Sequence, residues 1–399
     1  ARRPRNPCAA AIPRNRRPEA DRVAGVTDEL LPSPLHDRHV ALDATLGEFG
    51  GWSMPISYPG GTVAEHTSVR ETAGLFDVSH LGTVPISGPG AAAHLNACLT
   101  NDLGRIGPGR AQYTLACDDR GGVEDDMIVY LAADDDLLLV PNAANSTRIV
   151  SALAADAPPG VTITDRHREL AVLAVQGPRS AEALSAALGA VGEGVADLDY
   201  MAFTDLEGGL NDGGVRICRT GYTGELGYEV VLAAEAAPAM WDALLDAVRA
   251  VGGGPCGLAA RDTLRTEMGY PLHGQDISMD ITPVEARLGW AVGWSKPAFW
   301  GREVLTRQRE EGPQRVLRGI VATGRGIPRP HMRVMLTADV PVGEVTSGTF
   351  SPTLRKGVGL ALVAATVAAD AEVSVDVRGR REVFALTKPP FVDPSVRES

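Results

Sequence analysis

The sequence predicts an α+β protein in which two mixed units of helices and strands are followed by an all-β unit. Residues 82–141 alternate short β-rich segments with helical ones. A second series of this kind starts with an apolar strand at residues 172–176, which runs into a Gly-Pro turn and a helix. From about residue 314 onward only strand-like segments remain. The length of 399 residues suits such a division into two or three domains.

We expect the chain to divide into four consecutive parts. These are a disordered basic tail, a first α+β domain, a second α+β domain and a C-terminal β domain, at residues 1–32, 33–170, 171–313 and 314–399. Apolar spacing predicts an early helix that carries Leu35, His39, Leu42 and Leu46. A loop rich in Gly and Pro follows at residues 50–61, and a second helix is expected at residues 63–72.

Further elements follow from the same patterns. Helices are predicted at residues 91–99 and 143–154, and a stripe that begins at Met240 and ends at Val248 predicts an amphipathic helix. Strands of the C-terminal domain are predicted at residues 316–321, 342–346, 357–363, 373–377 and 383–386.

The first 32 residues differ in composition from the rest. Seven arginines, the last of them Arg22, are interleaved with four prolines without apolar periodicity, which predicts a disordered tail. The segment lacks the apolar core of a secretory signal. A mitochondrial presequence is the alternative, because the start is rich in Arg and poor in acids, but its prolines oppose the amphipathic helix that such signals use.

Charge and cysteine content exclude several classes of protein. The net charge of -12 argues against general nucleic-acid binding, which depends on Lys and Arg along the phosphate backbone. No apolar run is long enough to span a membrane. The five cysteines are scattered singly without a C-x-x-C pair, so that neither a disulfide framework nor a zinc site is indicated. We therefore expect a cytoplasmic protein without metal, nucleic-acid or membrane partners.

An antiparallel meander at residues 112–145 carries the first candidate site. A tight second turn sets Asp126 across from Asn142, and the first turn sets Tyr113 within one residue of the position opposite Asp126. A carboxylate among apolar neighbours tends to have a raised pKa and to serve in proton transfer or in stabilising a developing cation. The alternative is an aspartate near a turn that accepts hydrogen bonds from backbone amides.

A glycine-rich loop at residues 220–229 carries the second candidate. It is not a phosphate loop, because no Gly-Lys-Ser/Thr follows and the next element is a strand. Glu229 alternates with its neighbours on that strand and is free to face a pocket, where a carboxylate suits the adjacent N–H groups of a pterin. A plain hairpin with an exposed Glu229 is the alternative.

Two arginines one helical turn apart form the third candidate. Arg261 and Arg265 share a helix face, which fits a binder of anions or carbonyl groups. A surface pair with Asp262 or Glu267 is the alternative. Cys256 has no neighbouring base, which favours a buried structural role over a nucleophile.

Taken together, these segments resemble one family, the T-protein of the glycine cleavage system. The resemblance runs from about residue 33 to the C-terminus. Six motifs occur in the family's order and spacing, at residues 74–80, 121–126, 141–145, 221–229, 257–265 and 346–354.

The resemblance implies a three-domain cloverleaf with two ferredoxin-like α+β units, a barrel-like C-terminal β domain and a central tetrahydrofolate site. It implies that the aminomethyl group on the lipoyl arm of a carrier, the H-protein, is cleaved, that ammonia leaves and that 5,10-methylene-tetrahydrofolate forms. Asp126 corresponds to the catalytic carboxylate. The residues that correspond to folate contacts or shape the pocket are Leu81, Tyr113, Asn142, Tyr222, Glu229, Arg261, Tyr270 and, through a variable C-terminal segment, Arg397.

Two functional alternatives share the same fold. One is a folate-dependent demethylase that passes one-carbon groups from other donors to folate. The other is a noncatalytic folate-binding protein that assists iron-sulfur protein maturation, but relatives of that kind carry a cysteine-containing motif where this chain has the loop at residues 221–229.

Overall fold

The computed structural model describes residues 30–192, 194–206, 208–210, 213–337 and 340–393. The predictions for Arg397 and for residues 1–29 of the basic tail lie outside these residues. Leu31 and Pro32, which we had assigned to the tail, form a strand. That strand pairs with the segment that begins at Trp52, so the regular structure begins before residue 33.

The strands and helices of the described residues are numbered in chain order. The strands are β1 (Leu31–Pro32), β2 (Thr45–Phe49), β3 (Trp52–Ser57), β4 (Gly74–Asp77), β5 (Val84–Ser87), β6 (Arg110–Cys117), β7 (Val123–Ala133), β8 (Asp136–Val140), β9 (Thr162–Ile163), β10 (Leu170–Gln176), β11 (Phe203–Leu206), β12 (Val215–Cys218), β13 (Gly227–Ala233), β14 (Gly254–Pro255), β15 (Arg315–Ala322), β16 (Arg333–Thr337), β17 (Val340–Ser351), β18 (Lys356–Ala364), β19 (Glu372–Val377) and β20 (Arg380–Thr387). The α-helices are α1 (His36–Ala41), α2 (Gly61–Glu71), α3 (Ala91–Cys98), α4 (Ser146–Ala155), α5 (Ser180–Leu188), α6 (Ala237–Ala250), α7 (Leu258–Met268) and α8 (Arg302–Glu311).

Two large sheets form the main part of the molecule. One has six strands in the order β11-β12-β13-β10-β4-β14, and the other has five in the order β6-β7-β8-β5-β9. Helix α6 packs on the six-stranded sheet through Trp241, which is fully buried in the same core as Leu173 and Val230. Burial of one large apolar side chain of this kind contributes about 2 kcal/mol. The apolar stripe of α6 therefore anchors this layer.

A closed six-stranded barrel ends the described chain, with strand order β15-β18-β17-β16-β19-β20. Its core is built from alternate strand residues such as Ile320, Val363 and Phe384. A barrel leaves no unpaired sheet edge. The two large sheets with their helices and the barrel confirm the predicted α+β class with a C-terminal all-β barrel.

Three local predictions were wrong. The early helix does not reach Leu46, because α1 ends at Ala41 and Asp43 adopts a left-handed backbone with φ 54°. Leu46 lies instead in β2, where it pairs with Pro55 of β3, inside the segment that we had assigned to a loop. Strand β16 of the barrel had no counterpart among the predicted strands.

The segment at residues 33–170 contributes strands to both large sheets. Its strand β4 pairs with β10 and β14 of the six-stranded sheet, whereas β5 to β9 form the five-stranded one. The division of the chain at residue 170 stays a prediction. What matters for the site is that β7 of the five-stranded sheet and β13 of the six-stranded sheet both contribute residues to the wall of one cavity.

Candidate functional site

A cavity of about 690 Å³ lies between the two large sheets and the chain that follows α7. Binding sites for small molecules commonly have volumes of this order and are largely apolar, with a few polar groups. All of the predicted site residues that the structure describes line this one cavity: Leu81, Tyr113, Asp126, Asn142, Tyr222, Glu229, Arg261 and Tyr270. The fold therefore brings together side chains from widely separated parts of the chain. Their roles stay predictions.

The meander places Asp126 within reach of both expected partners. On the β6–β7 ladder Asp126 pairs with Leu115, and Tyr113 pairs with Ile128. Tyr113 is thus two residues from the position opposite Asp126, not one. The cause is a bulge between Ala116 and Cys117, which adds one residue to the register.

The long side chain of Tyr113 makes up for this shift in register. Its hydroxyl donates to Oδ2 of Asp126 over 3.0 Å. The amide of Asn142 donates to Oδ1 of Asp126 over 2.9 Å. Both expected contacts to Asp126 therefore form, and both come from neutral donors.

Burial raises the pKa of Asp126, although His273 and the hydrogen bonds from Tyr113 and Asn142 oppose the shift. The preceding residue, Asp125, is fully buried, and burial together with the charge of Asp126 raises its pKa to about 8. Two adjacent carboxyl groups that disfavour full ionisation hold a proton near neutral pH. Such a pair is suited to proton transfer and to stabilising positive charge.

A second cluster of polar side chains in the cavity wall is centred on Glu229 of β13. Glu229 is buried, and its Oε2 accepts hydrogen bonds from the hydroxyl groups of Thr220 over 2.6 Å and Tyr130 over 3.4 Å. The side chain therefore faces inward, which overturns the alternative of an exposed hairpin glutamate. Oε1 makes no hydrogen bond to any residue that the structure describes, and Glu229 is among the residues that line the cavity.

Aromatic rings and one arginine form a third side of the cavity. Tyr222 and Tyr270 stack with ring centroids 5.7 Å apart, and the hydroxyl of Tyr222 donates to the carbonyl of Pro271. The guanidinium of Arg261 lies 4.9 Å from the centre of the Tyr222 ring. Nη1 of Arg261 is buried without a hydrogen-bond partner in the described part of the chain. A buried donor of this kind commonly awaits an acceptor on a ligand.

The two arginines of α7 have different surroundings, although they share a helix face. Arg265 is buried, and its guanidinium lies 2.7 Å from both Asp262 and Asp276. It also donates to Ser347 of the barrel over 2.8 Å. Arg265 therefore joins α7 to the barrel through fixed partners, and the interpretation as a binder of anions or carbonyl groups applies to Arg261.

His80, Trp290 and His273 are among the lining residues that sequence reasoning missed. His80 is buried beside Phe49, and burial and the charge of Arg261 lower its pKa to about 3. Trp290 is 61% exposed and stacks on Tyr113 with centroids 5.3 Å apart. His273 bonds to the meander. His80 falls in the motif at residues 74–80, whereas neither Trp290 nor His273 carries a local signal.

Other features of the described residues are negative findings. They contain no group of three or more His, Cys, Asp or Glu that is placed to hold a metal ion. None of their helices has both the length and the apolar content needed to cross a membrane. Cys256 is buried, and burial raises the pKa of its thiol, which favours the structural interpretation.

Comparisons with known proteins agree on one family. The model described as "GCVT N-terminal domain" matches residues 35–296, and the one described as "Glycine cleavage T-protein C-terminal barrel domain" matches residues 315–393. The aminomethyltransferase of Parafrankia sp. (strain EAN1pec) is 58% identical over 370 residues, which are 92% of this chain and 100% of the relative. That of Mycobacterium tuberculosis (strain ATCC 25618 / H37Rv) is 55% identical over 366 residues, which are 91% and 97%.

A solved structure gives the same result. The crystal structure of glycine cleavage system aminomethyltransferase T from Bartonella henselae superposes with a TM-score of 0.85 at 32% sequence identity. The match covers 92% of this chain and 99% of that one. The likeness therefore extends over both large sheets and the barrel.

Proposed function

Because this chain belongs to the glycine cleavage T-protein family and is an enzyme that transfers an aminomethyl group, we propose that tetrahydrofolate is the acceptor and binds in the central cavity. The donor is the aminomethylated lipoyl arm of the H-protein carrier. Cleavage of the carbon–nitrogen bond releases ammonia, and cleavage of the carbon–sulfur bond returns the lipoyl sulfur of the carrier as a thiol. The carbon bonds to two nitrogens of the folate to give 5,10-methylene-tetrahydrofolate, and the two hydrogens that these nitrogens lose pass to the ammonia and the thiol.

The chemistry of the cavity fits a folate. Its volume of about 690 Å³ suits a ligand of that size. Glu229 offers a carboxylate to the adjacent N–H groups of a pterin, a pairing in which two charge-assisted hydrogen bonds form side by side. Tyr222 and Tyr270 offer aromatic surface, and the unpartnered Nη1 of Arg261 offers a donor to a carbonyl or carboxylate group.

Asp126 is the residue to which we assign the chemistry. Its ionised form stabilises positive charge that develops at the transferred carbon, and a preorganised charge in an enclosed site is worth far more than one in water. Tyr113 and Asn142 hold the two oxygens of Asp126 without neutralising it. The observation that carries the proposal is this carboxylate in the cavity wall, held by uncharged donors alone among the residues that the structure describes. Leu81 contributes apolar surface, and Arg397 stays a prediction.

A cytoplasmic location is part of the same proposal. The cysteines at positions 98, 117, 218 and 256 are free and buried, which fits a reducing compartment. The relatives at 55–58% identity are named aminomethyltransferases, which favours this function over the two alternatives of the same fold.

A two-step experiment tests the proposal. The purified full chain is titrated with tetrahydrofolate while tryptophan fluorescence is recorded, and aminomethylated carrier is then added while ammonia and methylene-tetrahydrofolate are measured. We expect saturable binding, followed by equal amounts of both products. Binding without either product would leave a noncatalytic folate-binding protein. Turnover with methylated amines but not with the carrier would identify the demethylase alternative.

A further inference from the structure

His273 follows α7 and lines the cavity, and both of its ring nitrogens have partners. Nε2 lies 3.1 Å from the carbonyl oxygen of Val123, and Nδ1 lies 3.1 Å from the amide nitrogen of Asn145. A carbonyl oxygen only accepts hydrogen bonds, so Nε2 carries the ring hydrogen. In the neutral ring Nδ1 is therefore an acceptor, and it receives a hydrogen from Asn145. The two contacts together fix one tautomer.

The amide of Asn145 connects this ring to the carboxylate pair. Its nitrogen has two hydrogens, one for His273 and one for Oδ1 of Asp125, which lies 2.7 Å away. Its oxygen accepts from Arg148 over 3.2 Å. Every donor and acceptor of the amide is thus used, and the acceptor at Nδ1 of His273 decides which end of the amide faces Asp125.

Asp125 is in turn connected to Asp126. Oδ2 of Asp125 accepts from the backbone N–H of Asn142 over 3.0 Å, and Oδ1 accepts from its side-chain amide over 2.8 Å. The same amide nitrogen lies 2.9 Å from Oδ1 of Asp126. The two carboxylates therefore share one donor, and any change in the position or charge of Asp125 is felt by Asp126.

We propose that His273 is a positioning residue for aminomethyl transfer, a neutral imidazole of fixed tautomer that orients Asn145 and thereby holds Asp125, Asn142 and the Asp126 carboxylate. The inference rests on the proposed function, because it takes Asp126 as the residue that acts on the substrate. His273 itself needs no contact with the reacting atoms. It acts by keeping three hydrogen-bond donors on Asp125.

Protonation of the His273 ring breaks the hydrogen bond that orients Asn145. A protonated imidazole donates from both nitrogens, so Nδ1 no longer accepts from Asn145 and the amide must turn its oxygen towards the ring. Asp125 then loses one of its three donors. Burial and the charge of Arg148 lower the pKa of His273, whereas the Val123 carbonyl and the charge of Asp126 raise it. The net effect is a lowered pKa. The ring therefore stays neutral at physiological pH.

Nitrogen NMR on the wild-type protein labelled with ¹⁵N-histidine tests the tautomer directly. We expect His273 to show a hydrogen on Nε2 and none on Nδ1, and to become protonated only below the ordinary histidine pKa of about 6.5. The opposite tautomer, or titration at the ordinary pKa, would overturn the inference without any substitution having been made.

Three substitutions separate the acceptor from the volume of the side chain. His273→Asn keeps an acceptor at the position of Nδ1 and cannot become charged, whereas His273→Leu fills the space without one and His273→Ala does neither. We expect His273→Asn to retain turnover within about threefold and the other two to lose roughly tenfold in kcat, with KM for tetrahydrofolate little changed. His331→Ala, at an exposed site on the barrel, is the control.

The pH profile supplies a measurement that a purely structural role would not change. With one donor fewer on Asp125, the ionisation of the coupled carboxylate pair changes, so the acid limb of kcat in His273→Leu should shift by roughly one pH unit. Combining His273→Leu with Asn145→Ala should add little, because both break the same connection. An unchanged limb, additive losses, or equal activity of the Asn and Leu variants would overturn the inference.

Failure here is distinguishable from failure of the proposed function. Full turnover by Asp126→Asn would contradict the assignment of Asp126 and leave the tautomer of His273 as measured. A shifted tautomer or an unchanged acid limb, with Asp126→Asn inactive, would contradict only the role of His273. If His273→Ala does not fold, the Asn and Leu variants and the NMR measurement still decide the question.

Discussion

Asp126 and Glu267 are both acidic side chains enclosed by the fold, but their partners are of opposite kinds. Asp126 is held by a phenol and an amide, and burial raises its pKa. Glu267, on α7, lies 2.7 Å from the guanidinium of Arg70 and 2.9 Å from Nε2 of His66. Burial acts to raise the pKa of Glu267 as well, but the hydrogen bond and charge of His66, with Arg70, lower it to about 2.

The difference separates a reactive acid from a structural one. The guanidinium of Arg70 fixes the charge of Glu267. His66 and the hydroxyl of Ser351 on the barrel bond to the same carboxylate, so this group joins α2, α7 and the barrel. Neutral donors leave Asp126 poised between its two protonation states.

Removing the charge of Asp126 should have the largest effect. Asp126→Asn keeps the shape of the side chain, and we expect kcat to fall by roughly a thousandfold, as for other preorganised groups that stabilise a transition state. Affinity for tetrahydrofolate should stay within about threefold, because the aromatic and Glu229 contacts remain. Single-turnover kinetics and a binding titration measure the two quantities.

Asp119→Asn is the matched control, since it makes the same change on an exposed turn of the same meander. Normal turnover by both variants would show that the contrast between the two acids has no catalytic meaning.

Removing the charge of Glu267 should instead lower stability. Glu267→Gln leaves Arg70 and His66 partly unpaired, and breaking a buried ion pair costs about 3 kcal/mol. We expect the free energy of unfolding in urea to fall by this amount while kcat at low temperature changes little. If Glu267→Gln lost activity without losing stability, the structural role of this group would be wrong.

The pH dependence of the free energy of unfolding tests the same stabilising role of Glu267. The folded pKa of Glu267, about 2, lies below its ordinary value of 4.5. Its contribution to stability is therefore complete above about pH 4.5 and is lost as the pH falls towards 2. Urea unfolding measured across this window should show a steeper loss for the wild type than for Glu267→Gln. Parallel curves would contradict the assignment.

Glu229 provides the smallest of these effects. It resembles Asp126 in having neutral partners, Thr220 and Tyr130, but we assign it to binding and not to chemistry. Glu229→Gln weakens one charge-assisted contact, and the dissociation constant for tetrahydrofolate should rise roughly tenfold with kcat at saturation nearly unchanged. A large fall in kcat would move Glu229 into the catalytic group.

Local sequence signals accounted for much of the fold but failed where distant contacts decided the outcome. The stripe that ends at Val248 lies on α6, which packs its apolar face as expected. Leu46 fits the helical spacing of Leu35 and His39, yet it lies in β2, because Asp43 turns the chain and β3 supplies a pairing partner. Periodicity cannot detect a strand partner that lies elsewhere in the sequence.

The candidate site shows the same division. Asp126 and Asn142 could be placed opposite each other because the turn between β7 and β8 is short, and their side chains do form a hydrogen bond. Tyr113 was misplaced because a bulge of one residue leaves no clear mark in the sequence. Nothing local marked His273, which reaches the meander from a segment more than a hundred residues later.

The sequence by itself determined the helix or strand character of most segments, the acidic balance and the polar residues available to a site, because these depend on side-chain chemistry and on periodicity over one element. Only the tertiary structure decided which acids are reactive. A carboxylate takes its pKa from the groups that surround it in space, and Asp126 and Glu267 receive different neighbours because β7 faces a cavity whereas α7 packs against Arg70 and His66.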